Sequence, residues 1–298
     1  MGDVTLKCLL TGGNAFVSEV IGPALVAAGH ELTVCIRPGR PVPAWVDANP
    51  EAVTTRAADL ADGSSLTDLV AEHALIVHAA GKVEDPAAPK TAFERNNTLA
   101  TRALINAAIE TGCAGMINFS SISVYGEIDA PVVDAATPST NPTPYGASKL
   151  AAEEALRHAA PKLPSISLRA PGIVGPNAHG NWLARSRAAM RAGEPVTISN
   201  PNFPFNNAVH VDDLGHFVVS LCARDWSGFQ AFPLGAGEPL SILDLMERLK
   251  VATGSVSSIT ISDAKRSAFS ISSDTAIHDF GYKPASMADI IDRFASDA

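Results

Sequence analysis

A doubly wound α/β fold is what this sequence predicts: a parallel sheet with helices on both faces, and a smaller, partly interleaved C-terminal lobe. Three observations carry that expectation. Short apolar runs alternate with helical patterns from residue 6 to about 170. A glycine turn, Thr11-Gly12-Gly13, follows the first of these runs at once. After residue 172 the regular alternation stops, and shorter, more scattered elements follow. We expect residues 1–171 to form a nucleotide-binding domain, with about 205–225 returning to it. Residues 172–298 should form mainly a substrate-binding lobe.

Composition narrows the class. The chain has 298 residues, 46% apolar and 18% charged, which suits a well-buried globular protein. A formal net charge of -9 argues against a nucleic-acid partner, which needs a basic face. Cys8, Cys35, Cys113 and Cys222 have neither metal-site nor disulfide-framework spacing, so no metal is expected. No stretch reads as a signal peptide or a bilayer-spanning run. The expectation is a cytoplasmic protein with reduced thiols and no membrane contact.

The first unit justifies the fold. Leu6-Lys7-Cys8-Leu9-Leu10 reads as a strand, and Thr11-Gly12-Gly13 as its turn. Val17, Val20, Ile21, Leu25 and Val26 mark a helix ending near Gly29, and Glu31 to Ile36 is a second strand. Strand, glycine turn, helix, strand is the opening of a dinucleotide-binding βαβ unit. Glycine lets the backbone approach a pyrophosphate, and N–H groups at the helix start bind it. Gly12 is in place, while Ala15 and Ser18 stand where two further glycines are expected. The second strand ends in Ile36-Arg37-Pro38-Gly39-Arg40, with no acid for a ribose 2′-hydroxyl. Arg37, and Arg40 behind it, suit a 2′-phosphate, so NADP is expected, with NAD as the alternative.

The later strands follow in order. Ala52 to Thr55 reads as a short strand, and Asp59, Ser64 and Ser65 suit a helix cap after it. Asp59 could instead face an adenine. Ala74 to His78 is a buried strand ending in Ala79-Ala80-Gly81, small residues across which a flat cofactor can lie. Asn97 to Ala108 is a helix. Met116 to Phe119 is a strand running into Ser120-Ser121-Ile122-Ser123. Ser165 to Arg169 is the next strand.

The most chemically pointed stretch is Tyr145-Gly146-Ala147-Ser148-Lys149. Tyr145 and Lys149 stand one turn apart on one helix face. A lysine cation favours a nearby phenolate and should lower the tyrosine pKa. Such a tyrosine can give or take a proton on a hydroxyl or carbonyl. Alone the pair is a weak signal; a preceding dinucleotide turn and a nearby serine strengthen it.

Together the motifs resemble the extended short-chain dehydrogenase/reductases, the NAD(P)-dependent epimerase/dehydratase group. The matching pieces are Thr11-Gly12-Gly13, Asp59-Leu60, His78 to Gly81, Asn97 with Thr101, Phe119-Ser120-Ser121 with Val124-Tyr125-Gly126, and Tyr145 to Lys149. Further on are Leu168 to Pro171, Gly175-Pro176, Gly193 to Val196, Val209 to Leu214 and Gly281 to Pro284. The resemblance implies a Rossmann-type fold over nearly the whole chain. It implies Ser121, Tyr145 and Lys149 as catalytic residues, with Ser123 the alternative serine. It implies cofactor contacts from Gly12, Gly13, Asn14, Ala15, Phe16, Val17, Arg37, Asp59, Leu60, Ala79, Ala80, Gly81, Asn97, Ser120, Tyr145, Lys149 and Pro171. His210 and Asp212 match a motif that is mainly structural in the family.

The implied activity is hydride transfer at a hydroxyl or keto carbon of a small substrate, such as a nucleotide sugar. The alternatives are an NADP-dependent carbonyl reductase or hydroxysteroid-dehydrogenase-like enzyme, and a non-catalytic dinucleotide sensor. Pro171-Gly172 stands where many nucleotide-sugar enzymes carry an asparagine, and that segment looks more like the family's reductases. The resemblance also implies a homodimer, paired through the helix before the active serine and the helix bearing Tyr145.

Overall fold

The computed structural model describes residues 5–62, 66–263 and 267–297. Ser64 and Ser65, considered above as helix caps, lie outside the described residues. The chain divides into two compact units. Unit 1 comprises residues up to Gly126, Asn141–Arg169 and Gly215–Ala231; unit 2 comprises Glu127–Thr140, Ala170–Leu214 and the segment from Phe232. The segment returning to unit 1 is thus 215–231 rather than 205–225. Residues 127–140, placed in the first domain from the sequence, group with unit 2.

Unit 1 is built on a sheet whose strands are β1 (Lys7–Thr11), β2 (Glu31–Ile36), β3 (Val53–Ala57), β4 (Leu75–His78), β5 (Gly115–Ser121), β6 (Ser165–Ala170) and β7 (Phe229–Pro233). Their order is β7-β6-β5-β4-β1-β2-β3. The run from β3 to β5 is parallel, with Cys8 paired to both Leu32 and Leu75. The strand order reverses between β1 and β4. Crevices at the carboxyl ends of such strands are where ligands bind in doubly wound sheets. Leu9, Ile76, Met116 and Ile117 are fully buried, as continuous apolar strands covered on both faces require.

The helices that matter to the site are α1 (Ser18–Ala27), α2 (Ala100–Thr111) and α3 (Pro144–Ala159). Thr143 caps α3: its hydroxyl oxygen accepts the Gly146 N–H at 3.2 Å. Pro144 opens the helix, where its missing N–H costs nothing. The helix expected from Asn97 begins instead with a wider, π-type turn over Glu94–Leu99.

Unit 2 has its own core, with Val174, Leu183, Met190, Leu245, Leu249, Ile290 and Phe294 among its buried residues. Its helices include α4 (Trp182–Arg191), α6 (Ile242–Ala252) and α7 (Met287–Ser296); α5 (Val211–Cys222) lies between the first two in sequence. Buried His210 takes the Asp212 N–H on Nδ1, so Nε2 carries the proton and faces Asp297 Oδ2 at 3.2 Å. No helix among the described residues is long and apolar enough to cross a membrane.

Candidate active site

The glycine turn is shaped by close approach. Gly12 has φ +79°, and a Cβ there would lie 2.6 Å from the Ala80 nitrogen. Only glycine supplies both the left-handed backbone and the space. Ser18, at the position of an expected glycine, is buried and donates its hydroxyl to Gly12 O at 2.9 Å. Ala15 N–H bonds Gly12 O at 2.7 Å. Of the two departures from glycine, Ser18 thus ties the turn together with its side chain, while the Ala15 bond is main-chain only. Asn14, Phe16 and Val17 precede the first residue of α1, where the Ser18, Glu19 and Val20 N–H groups bond the carbonyls of Ala15, Phe16 and Val17.

Next to this turn, β4 ends in His78. Thr101 donates its hydroxyl to Asn97 O at 2.6 Å, so it accepts from His78 Nε2 at 2.9 Å. His78 Nδ1 then accepts from the Thr11 hydroxyl at 2.7 Å. Burial, and then the Lys149 charge, push the imidazole down to about 3, which keeps it neutral. Asn97 sits in the π turn and clamps the loop after β4. Its Oδ1 accepts Lys82 N–H at 2.7 Å, and its Nδ2 donates to Lys82 O and to Ser148 Oγ. Asn97 therefore spends its side chain on protein groups beside the site.

Tyr145 and Ser121 come together, and Lys149 follows Tyr145 by one turn of α3. Ser121 ends β5 and forms a side-chain hydrogen bond with Tyr145. Gly146 makes this possible: a Cβ there would lie 2.0 Å from Ser123 O, so α3 packs its first turn directly on the backbone after β5. Ser123 enters through its carbonyl rather than its hydroxyl. Phe93 meets the Tyr145 ring edge-on, with centroids 6.0 Å apart. Lys149 is buried, and its Nζ donates to Phe119 O at 2.7 Å.

The electrostatics correct one expectation. Burial pushes the Tyr145 phenol above the usual tyrosine range; the Ser121 hydrogen bond pulls it back, and the Glu84 charge pushes it further. Tyr145 is thus not lowered in this state, because desolvation outweighs its neighbours. Burial also brings the Lys149 ammonium down to about 8, opposed by Glu153.

Ser120 is also corrected. Its hydroxyl bonds Glu153 Oε1 at 2.5 Å, so it faces inward rather than toward a cofactor. Glu153 is fully buried and pairs with Arg169, Nη2 to Oε2 at 2.8 Å. Arg169 also donates to Tyr125 Oη at 3.0 Å. Leu60 is likewise a core residue.

At the end of β2, Arg37 is exposed and donates to Asn96 Oδ1 at 2.7 Å. Asp59 pairs with Arg95 at 2.8 Å, which holds its carboxyl below the usual carboxylate range; Arg37 adds to the effect. Two arginines thus stand by Asp59. Sequence reasoning missed Arg95 and Asn96; both directly precede Asn97 in the same turn, which was the available signal. It also missed Glu84, Glu153 and Tyr125's part in the buried network. Pro171 belongs to unit 2.

Similarity to known proteins places the chain in a family. The curated relatives include UDP-glucose 4-epimerase of Erwinia amylovora, 27% identical over 291 residues and covering 86% of each chain. Solved structures of the same fold include the UDP-Glc/GlcNAc 4-epimerase of Campylobacter jejuni, with TM-score 0.82 and 22% identity, covering 97% of this chain and 98% of that one. Another is the UDP-glucuronic acid 4-epimerase of Bacillus cereus in complex with NAD, with TM-score 0.81 and 20% identity, covering 97% of each. The sequence profile of the NAD dependent epimerase/dehydratase family matches residues 8–230. The chain belongs to the NAD-dependent epimerase/dehydratase family of extended short-chain dehydrogenase/reductases.

Proposed function

We propose that the protein moves a hydride between NADP(H) and the carbinol or keto carbon of a small substrate, with Tyr145 handling the hydroxyl proton. The observation that carries this reading is the Ser121–Tyr145 hydrogen bond, with Lys149 one turn along the same helix. The residues fit a dinucleotide: Gly12 carries no side chain, and Ser18 turns its hydroxyl inward, onto the Gly12 carbonyl. Gly12 to Val17 would hold the pyrophosphate, and Lys149 the nicotinamide ribose. Ala79, Ala80 and Gly81 leave room for a flat group. When bound, the nicotinamide supplies the hydride donor and acceptor.

The chain's own residues do the rest. Ser121 hydrogen-bonds the reacting oxygen and orients it toward Tyr145. Tyr145 gives its proton to a ketone oxygen or takes one from an alcohol. Lys149 provides the cation that favours the phenolate. The relatives' names support epimerisation of a nucleotide sugar, in which the hydride returns to the same substrate. Arg37 with Arg95 supports NADP, and with it the reductase reading, in which product leaves after one transfer. We also infer a cytoplasmic homodimer, the former from four free thiols and the latter from exposed Leu99 at the start of α2.

Mass analysis of the cofactor carried through purification tests the reading. Exchangeable NADP(H) supports a reductase and retained NAD an epimerase. Turnover by Tyr145→Phe within a few-fold of wild type would remove the mechanism.

A further inference from the structure

Three consecutive residues at the end of β5 are each held by α3. Phe119 O accepts from Lys149 Nζ at 2.7 Å. The Ser120 hydroxyl donates to Glu153 Oε1 at 2.5 Å. Ser121 hydrogen-bonds Tyr145. Tyr145, Lys149 and Glu153 recur every four residues, so they stand on one face over successive turns of the helix. Ser120 takes no part in the proton transfer, yet it holds the middle contact.

That contact is built to resist movement. Glu153 and Arg169 are both buried, and Arg169 Nε donates to Glu153 Oε1 at 3.1 Å while Nη2 donates to Oε2 at 2.8 Å. The two-pronged contact fixes the plane of the carboxylate. The guanidinium carbon lies 4.9 Å from the centroid of the Tyr125 ring, and Nη1 donates to Tyr125 Oη at 3.0 Å. Tyr125 closes the 3₁₀ turn Ile122–Tyr125 that follows Ser121. Glu153 and Arg169 thus grip the chain on both sides of Ser121, at Ser120 and at Tyr125. A buried ion pair adds little net stability, so holding the chain in place is the better account of it. Neighbouring strand residues point to opposite faces, so anchoring Ser120 on one face sets where Ser121 points on the other. An error of about 1 Å in such a placement can cost about 10²-fold in rate.

We propose that Ser120 is a positioning residue: its hydroxyl, held by the Glu153–Arg169 pair, fixes the end of β5 so that Ser121 meets the Tyr145 hydroxyl. The proposal rests on the hydride-transfer reading for its use, but not for its test.

The test is NMR of the full chain carrying tyrosine isotopically labelled at Cζ, the ring carbon that bears the hydroxyl and whose shift responds to hydrogen bonds there. The chain has three tyrosines, and the resonance missing from Tyr145→Phe belongs to Tyr145. Ser121→Ala gives its position without the serine bond. The expected result is that Ser120→Ala moves the Tyr145 resonance toward the Ser121→Ala position, although it leaves Glu153 paired with Arg169. Ser120→Cys, similar in size but only a weak donor, should move it the same way. Melting curves establish which variants are folded. A Tyr145 resonance unmoved in a folded Ser120 variant would overturn the proposal. So would a resonance that Ser121→Ala itself leaves in place, or failure of both Ser120 variants to fold, which would make Ser120 structural. No substrate is present, so the resonance decides the part of Ser120, while turnover by Tyr145→Phe decides the hydride-transfer reading.

Discussion

Lys149 Nζ donates to the carbonyl oxygen of Phe119 at 2.7 Å, so the lysine one helical turn after Tyr145 also pins the strand that delivers Ser121. This position is costly to keep charged. Lowering a lysine from its usual 10.5 to about 8 corresponds to roughly 3 kcal/mol against the charged native form.

Lys149→Met should therefore abolish turnover while leaving the protein as stable as wild type or more so at pH 7. Between pH 8 and 10.5 the unfolded lysine binds a proton that the native one has released, so wild-type stability gains with pH there. The gap between variant and wild type should narrow across that window in paired thermal melts. A variant several degrees less stable at every pH would contradict this.

Tyr145→Phe should lower kcat by roughly 10²–10⁴ without loss of cofactor affinity. Glu84→Gln should move the tyrosine limb of the pH–rate profile to lower pH, because Glu84's negative charge raises the phenol. Glu84 is exposed, and its carboxylate accepts a long 3.3 Å bond from Thr143, so the melting temperature should hardly change. An unmoved profile would show that Glu84 does not act on Tyr145.

Glu153→Gln leaves the Arg169 guanidinium buried without its anion. Breaking one side of a buried pair costs roughly 3–5 kcal/mol. Chemical denaturation should register that loss. Arg169 and Glu153 replaced together by apolar residues should recover much of it, since the pair itself is worth little net.

His78 is neutral between two threonine hydroxyls, and its native pKa of about 3 lies below the unfolded value near 6.5. Its contribution is full above pH 6.5 and falls as pH drops toward 3, by roughly 4–5 kcal/mol in all. His78→Gln should flatten the acid side of the stability curve.

Arg37→Ala should cost NADP roughly 1.5–3 kcal/mol of binding and NAD almost nothing. Asn96, which accepts from Arg37 at 2.7 Å, holds the guanidinium in place, so Asn96→Ala should give a smaller loss of the same kind. Titration with both dinucleotides checks each variant. Wild-type binding of NAD as tight as NADP would make Arg37 a surface charge only.

The sequence made the parallel sheet legible because buried strands and glycine turns leave local marks. Tyr145 and Lys149 were legible for the same reason, being one helical turn apart. Glu153–Arg169 was not: it joins α3 to β6, and nothing local shows that Glu153 faces inward. The direction of the Tyr145 shift was misjudged because spacing reveals a neighbouring charge but not the burial that outweighs it. Ser18 read as a damaged glycine position, and only its bond to Gly12 O reveals its use. Ser120 and Ser121 are adjacent in a strand, so they face opposite sides. The first meets Glu153 and the second Tyr145.

The π-type turn over Glu94–Leu99 makes the chain intolerant of losing a single residue at that point. A one-residue deletion would let the segment close as an ordinary helix and rotate what precedes it against α2 by about 100°. Asn97 could not then keep both its own bonds to Lys82 and the Thr101 bond to its carbonyl. Across descendants of this gene, insertions and deletions should therefore accumulate in the loop before Lys90 and be purged from the six residues that follow Phe93.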